Sequence, residues 1–180
     1  MGYFEKSAGI FTAIADNKKR GIVMKKSVFA AVIFGIFLNF NAAAMVTFFV
    51  VETGLPDNME YSNQSIVWEN AFMDVFFEAG HIISNFPIIR LDSKPEGDIL
   101  YEIDFDLENG REMGINFIII ALLEYDDRIK APGEISFFIF NVVTGEKSYE
   151  RQITGKTYRS VSEEFNDIKS IARGLIPFVR

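Results

Sequence analysis

A secretory-type signal lies inside this chain rather than at its first residue, and it decides which residues are available to fold. From Met24 the sequence reads MKKSVFAAVIFGIFLNFNAAA. Lys25 and Lys26 form a positive head, residues 27–38 form an uncharged apolar stretch, and Ala42 and Ala44 take the −3 and −1 positions of an A-x-A cleavage site. The expectation is a signal peptide over 24–44, with a folded domain over 45–180. Residues 1–23 then read as a mis-set start or an extension. The alternative is a retained signal anchor. Residues 27–51 carry no charge, and the apolar part (27–50) is long enough to cross a bilayer. Asn39 and Asn41 argue against it, because each would lie in hydrocarbon at a cost. The small triplet of Ala42, Ala43 and Ala44 also suits a peptidase better than a lipid tail.

Charge divides at the same place. Of 18 basic and 25 acidic residues, six basic and two acidic fall within 1–44, so the rest of the chain carries a formal charge of −11. A domain this acidic offers no footprint for phosphate backbones, which argues against nucleic acid as a partner. Anionic lipid headgroups would repel it, so membrane contact is expected only if the signal segment is retained. There is no cysteine. That removes disulfides, thiol chemistry, Cys-based zinc sites and the acylation point of a lipoprotein. A cysteine-free domain behind a short signal fits a bacterial periplasm, and its length allows an adequate core without staples.

Along the folded part, MVTFFVVE (45–52) is a β-branched and aromatic run, the pattern of a strand buried on both faces. Residues 65–84 place Trp68, Phe72, Val75, Phe76, Ala79, Ile82 and Ile83 on one helical face, with Ser65 or Asn63 as cap and Pro87 as stop. FPIIRL (86–91) reads as a short strand. From 98 to 108 apolar and acidic residues alternate, and Asn109-Gly110 follows, which together predict a strand and a hairpin turn. A helix over 99–112 is the alternative, since Ile99, Ile103 and Leu107 also recur every fourth residue. Strands are expected over 113–123, 134–143 and, more polar and nearer an edge, 147–157. A last helix over 162–176 has Ser162 as its expected cap. The predicted architecture is a single α/β domain with a mixed sheet of about six strands and two long helices, in the order β-α-β-β-β-β-β-α.

The wording FFIFNVVTGEKSYERQITG (137–155) resembles the strand–turn–strand of the TolB amino-terminal domain, in which a similar turn phrase precedes a closing helix. Gly97-Asp98-Ile99-Leu100-Tyr101 is similar to that family's entry into its middle hairpin. The same fold is shared by curli-secretion channel subunits and by outer-membrane lipoproteins that activate penicillin-binding proteins. The resemblance covers most of 45–180 and implies a periplasmic α/β domain of the anticodon-binding-like type. The chain departs from each relative: no propeller follows, no lipobox cysteine is present, and Asn141 stands where many relatives have Asp. The resemblance therefore implies a fold and an envelope setting without transferring a partner.

No residue set specifies catalysis. His81, the single histidine, would need a nucleophile and an orienting acid to act as a base; Asp74 and Glu78 are its helical neighbours, and all three read as a solvated face. The acidic run Asp98, Glu102, Asp104, Asp106, Glu108 and Glu112 lacks the glycine and the terminal glutamate of a calcium loop, which would fall at Asn109 and Ile115. Asp57, Glu60 and Glu69 specify no apolar cleft of the kind a glycosidase acid requires. Catalytic, cofactor and metal residues are therefore all expected to be absent. Leu55, Met59 and Tyr61, in the loop after the first strand, are candidates for contact with a partner, and the polar strand 147–157 is a candidate for strand addition. The expected role is a non-enzymatic, exported interaction domain whose partner is an envelope protein. Homo-oligomerisation stays open, as does a membrane-anchored subunit of an assembly or secretion complex. An envelope hydrolase is the least supported alternative.

Overall fold

A computed structural model describes residues 43–56, 63–126 and 131–179. Ala42, Met59, Tyr61 and the whole of the predicted signal segment up to Ala42 lie outside the described residues. Ala43–Arg180 forms one compact unit.

The elements are β1 (Met45–Thr53), α1 (Asn63–Glu78), β2 (Ile82–Asn85), β3 (Ile89–Leu91), α2 (Ile99–Glu102), α3 (Leu107–Glu112), β4 (Phe117–Tyr125), β5 (Pro132–Asn141), β6 (Glu146–Thr154) and α4 (Val161–Leu175), closed by a 3₁₀ turn at Ile176–Phe178. They form one mixed sheet in the order β2-β1-β4-β5-β6, with β3 also paired to β1. Along β1, residues 45–48 pair with β2 and residues 51–53 with β3, both parallel; β4 is parallel on the other side. β5 and β6 follow as antiparallel hairpin partners. The α/β class, the strand number and the two long helices are as the sequence predicts.

β1 is buried on both faces, and its alternate side chains feed two cores. Val46, Phe48 and Val50 join Trp68, Phe72, Val75 and Phe76 of α1 and Ile168, Ala172 and Leu175 of α4. Phe48 stacks on Phe72 at 4.3 Å, and Phe137 of β5 lies 5.9 Å from Phe72. On the opposite face Phe49 and Val51 meet Ile99, Leu100 and Ile103 of α2, with Phe86 stacked on Phe49 at 4.6 Å.

Several expectations need correction. The strand and hairpin over 98–110 are two short helices. Asp98 and Asp106 act as caps, accepting hydrogen bonds from the amides of Leu100 and Glu108. Tyr101, placed by period two on the buried face, is 84% exposed. Asn109-Gly110 lies inside α3; a Cβ on Gly110 would stand 2.9 Å from the Phe105 ring, so this glycine permits close packing and makes no turn. The first helix ends at Glu78 and does not reach residue 84. The amide of His81 donates to the Phe76 carbonyl and that of Gly80 to Phe77, with Gly80 at φ +87°, a Schellman closure six residues before Pro87. Residues 82–91 then form two short strands separated by Phe86-Pro87-Ile88. Ser65 is buried and does not cap α1. The last helix is capped by Ser160, whose hydroxyl accepts from the Glu163 amide, and Ser162 lies within it. Residues 45–50 belong to β1, so an anchor cannot extend over 27–50; the uncharged stretch ahead of the sheet is 27–44.

Candidate functional site

β1, β3 and β4 run parallel, so their carboxyl ends share one rim of the sheet; β2 is parallel too but ends beside Phe48, midway along β1. The chain leaving β1 goes to α1 on one face, and the chain leaving β3 goes to α2 on the other. This is a topological switch point, the place where α/β sheets leave a crevice for a ligand. Here the crevice is occupied by the protein's own side chains. Glu52, at the end of β1, is fully buried, and the buried Ser65 hydroxyl donates to its Oε1. The Tyr125 hydroxyl lies 3.4 Å from Ser65 Oγ. Leu55 is half-buried and packs on the α1/α4 core. Arg90 of β3 donates from Nη2 to the Pro56 carbonyl at 2.7 Å, which ties the start of this loop to the sheet.

On the α2/α3 face of the same rim, Glu124 and Glu134 are direct cross-strand partners. Two carboxylates so placed repel each other. Lys94 lies between them, 2.7 Å from Glu124 and 2.6 Å from Glu134. Burial holds the Glu124 carboxyl above its ordinary range, and the hydrogen bond from Lys94 holds Glu134 below it; the bonds to Glu124 and then Glu134 keep the lysine charged to higher pH. The arrangement is a clamp between β3's exit and the β4–β5 pair.

The residues weighed for chemistry are not brought together. His81 sits at the carboxyl end of α1, the full helix length, about 24 Å, from Ser65 near its start. Its ring lies against Phe76, the hydrophobic contact that accompanies a Schellman closure. Asp74 and Glu78 pair with Lys169 of α4, at 2.5 and 3.3 Å, rather than with His81. Glu69 accepts from Asn85 of β2; Asp57 and Glu60 lie outside the described residues. The acidic run is dispersed over two helices, with Glu108 paired to Arg111. Among the described residues no group of three or more His, Cys, Asp or Glu is placed to hold a metal ion.

The polar strand expected near an edge is β6, and it is the last strand of the sheet. A groove of about 390 Å³ runs between it and α4, floored by Tyr149 and Ile153 and opened by the small residues Ser170 and Gly174. Tyr149 packs on Phe178 at 4.2 Å. At one end of the groove the Tyr158 hydroxyl donates to Asp167 at 2.7 Å, which lowers the Asp167 carboxyl; burial, and then this bond, raises the phenol. A second hollow of about 580 Å³ lies on the other face of β5 and β6, around Phe138, Gln152 and Lys147.

Sequence reasoning missed Glu52 and the Lys94–Glu124–Glu134 clamp. The available signal was a single acid closing each of two apolar runs, TFFVVE and IIIALLE, a pattern that marks where a buried strand reaches its rim.

No protein-family model and no curated protein sequence matches the chain. Among solved structures the fold is similar to that of the PelC dodecamer from Paraburkholderia phytofirmans, with 15% identity, a TM-score of 0.43, and coverage of 73% of this chain and 86% of that one. It is also similar to TolB from Acinetobacter baumannii, with 8% identity, a TM-score of 0.41, and coverage of 77% of this chain and 28% of that one. The LpoB C-terminal domain from Escherichia coli aligns at 8% identity with a TM-score of 0.40, over 67% of this chain and 87% of that one. At these identities the likeness concerns the fold alone.

Proposed function

We propose that the protein is an exported, non-enzymatic protein-interaction domain of the bacterial cell envelope. One observation carries the reading. The signal-like sequence, with its Ala42 and Ala44 cleavage positions, runs directly into a compact unit that begins at Ala43. Cleavage after Ala44 would release β1 whole. Asn116 already holds that junction: its Oδ1 accepts from the Met45 amide, and its own amide donates to the Met45 carbonyl, both at 2.8 Å. A new α-ammonium at Met45 would keep this partner and gain a charge-assisted bond. The resemblance of residues 137–155 to the TolB amino-terminal domain supports the envelope setting. The structural employment of Glu52, Ser65, Lys94 and Asp74 supports a binding role over a catalytic one.

The test is the intact mass of the native protein from separate periplasmic and membrane fractions. A soluble species starting at Met45 is expected. A membrane species retaining residues 24–44 would overturn cleavage and favour the second reading, a membrane-anchored assembly subunit, for which the 27–44 stretch lies at the lower limit of a spanning length. For the partner surface, replacing Met59 and Tyr61 with Ser should weaken co-purification of an envelope protein while leaving the melting temperature in place. Unchanged co-purification would remove that loop from the binding surface.

A further inference from the structure

β6 is the last strand of the sheet, and its outer side is open. The amide of Gly155 donates to the Gly133 carbonyl, so by the alternation of an antiparallel ladder the backbone groups of Thr154, Gln152 and Glu150 turn away from β5. All three residues are exposed, and among the described residues no further backbone group meets them. Donors and acceptors repeating at this spacing match another extended chain.

The side chains alternate with the backbone. Tyr149, Arg151 and Ile153 rise on the α4 face and line the groove of about 390 Å³, whose helical wall is low at Ser170 and Gly174. Tyr149 and Ile153 are half-buried, and Arg151 between them is exposed. Its basic neighbours are matched, Lys147 by Glu150 and Lys156 by Asp167, whereas Arg151 is in no ion pair among the described residues.

We propose that this edge takes an extended segment of another protein, added as a strand beside β6, with an acidic residue opposite Arg151 and an apolar residue two positions to either side, over Tyr149 and Ile153. The proposal rests on the interaction reading above and gives it a surface and a partner chemistry. Backbone hydrogen bonds supply the attachment, and the side chains on the groove face supply the choice. Unlike charges directly opposed across a strand pair favour it, and like charges oppose it. The sheet edges of a second copy of the chain do not meet this requirement. β6 carries no acid on its own groove face, and β2 (IISN) and β3 (IRL) at the other edge carry none at all. On the opposite face Glu150 is already held by Lys147, so uncharged polar residues suit the intervening positions of the segment.

The probe is the peptide acetyl-Thr-Val-Thr-Glu-Thr-Val-Thr-amide, titrated against the full chain by calorimetry. Saturable binding with a Kd at or below about 1 mM is expected, weakened about fivefold or more when the central Glu of the peptide is replaced by Lys. Arg151→Glu should reverse that preference. Two more variants test the edge and the groove separately. Gln152→Pro removes an amide that points outward and none that bonds β5, so it should keep the fold and lose the peptide. Gly174→Leu places a side chain where a Cβ meets nothing within 4 Å, so it should fill the groove, keep or raise the melting temperature, and weaken binding. No saturable binding, binding indifferent to the central charge and to Arg151, or binding that survives Gln152→Pro would overturn the proposal. The exported-domain reading is judged separately, by the amino terminus of the native protein.

Discussion

The two faces of the sheet hold the same strands by different means. The α1/α4 face is an aromatic core under two long helices, with Trp68, Phe72, Phe76, Phe48 and Phe137 in mutual contact. The α2/α3 face is covered by helices of four and six residues, too short to persist alone. Each of these depends on one capping aspartate and on a few apolar anchors such as Ile99, Ile103 and Phe105. The first face draws its stability from buried area and the second from local hydrogen bonding and fit. The α2/α3 layer is therefore expected to open before the α1/α4 layer.

Substitutions on the two faces can break that contrast. Phe72→Ala, which empties the centre of the aromatic cluster, should cost about 4 kcal/mol in denaturant unfolding. A loss below about 2 kcal/mol would mean that this core is not the main support. Ile103→Ala on the thin face should cost about 2 kcal/mol, the low end for such a truncation, because a short helix can settle into the space. It should also speed hydrogen exchange in α2 and α3 without changing that of α1. Uniform acceleration across the domain would show that the two faces open together. Asp106→Ala should cost about 1 kcal/mol through the lost cap and leave the α1/α4 amides protected.

Two charge changes sharpen the comparison further. Lys94→Met leaves Glu124 and Glu134 facing each other. Because Lys94 holds Glu134 low, the stability it supplies is present above the ordinary glutamate range and is lost as pH falls below that range to the lowered value of Glu134. The variant should therefore be slightly weaker than the parent at pH 7 and should converge with it only in acid below the ordinary glutamate range. On the other face Glu164 is buried, at 6% exposure, and burial raises its carboxyl. A raised acid weakens the fold as pH climbs above that acid's unfolded range. Glu164→Gln should thus raise the melting temperature slightly at pH 7 and not at pH 4. An equal rise at both would locate the effect in packing rather than charge.

The same contrast explains what the sequence made legible. β1, α1, β4, β5, β6 and α4 were readable because each buries a long stripe, and a long stripe has one dominant period. Residues 98–112 were misread because the period-two and period-four patterns share Ile99, Ile103 and Leu107. The deciding facts there are local: Asp98 and Asp106 turn back onto the backbone, and Asp104 adopts φ +53° between the helices. An aspartate on a wet strand and an aspartate at a cap are the same letter. The crevice of Glu52, Ser65 and Tyr125 was unreadable for another reason. Its members come from three elements, and Ser65 looked like a cap because it lies near a helix start. Sequence spacing gave no hint that the loop after β1 would bring it back over Glu52.

β1 is the first of the described elements and also an interior strand of the sheet, flanked by β2 and β3 on one side and β4 on the other. Met45 is joined to Asn116, 71 residues further on, and all of β4 must exist before the open side of β1 is closed. Whenever the chain emerges amino end first, this apolar strand appears before its sheet neighbours and waits for them. Such an order makes for slow, late-committing folding, because distant partners must meet before any sheet is formed. Meanwhile TFFVV (47–51) is the kind of segment that joins other exposed strands when left uncovered. The topology that later hides β1 on every side thus obliges the nascent chain to be shielded by something else until residue 124 has been delivered.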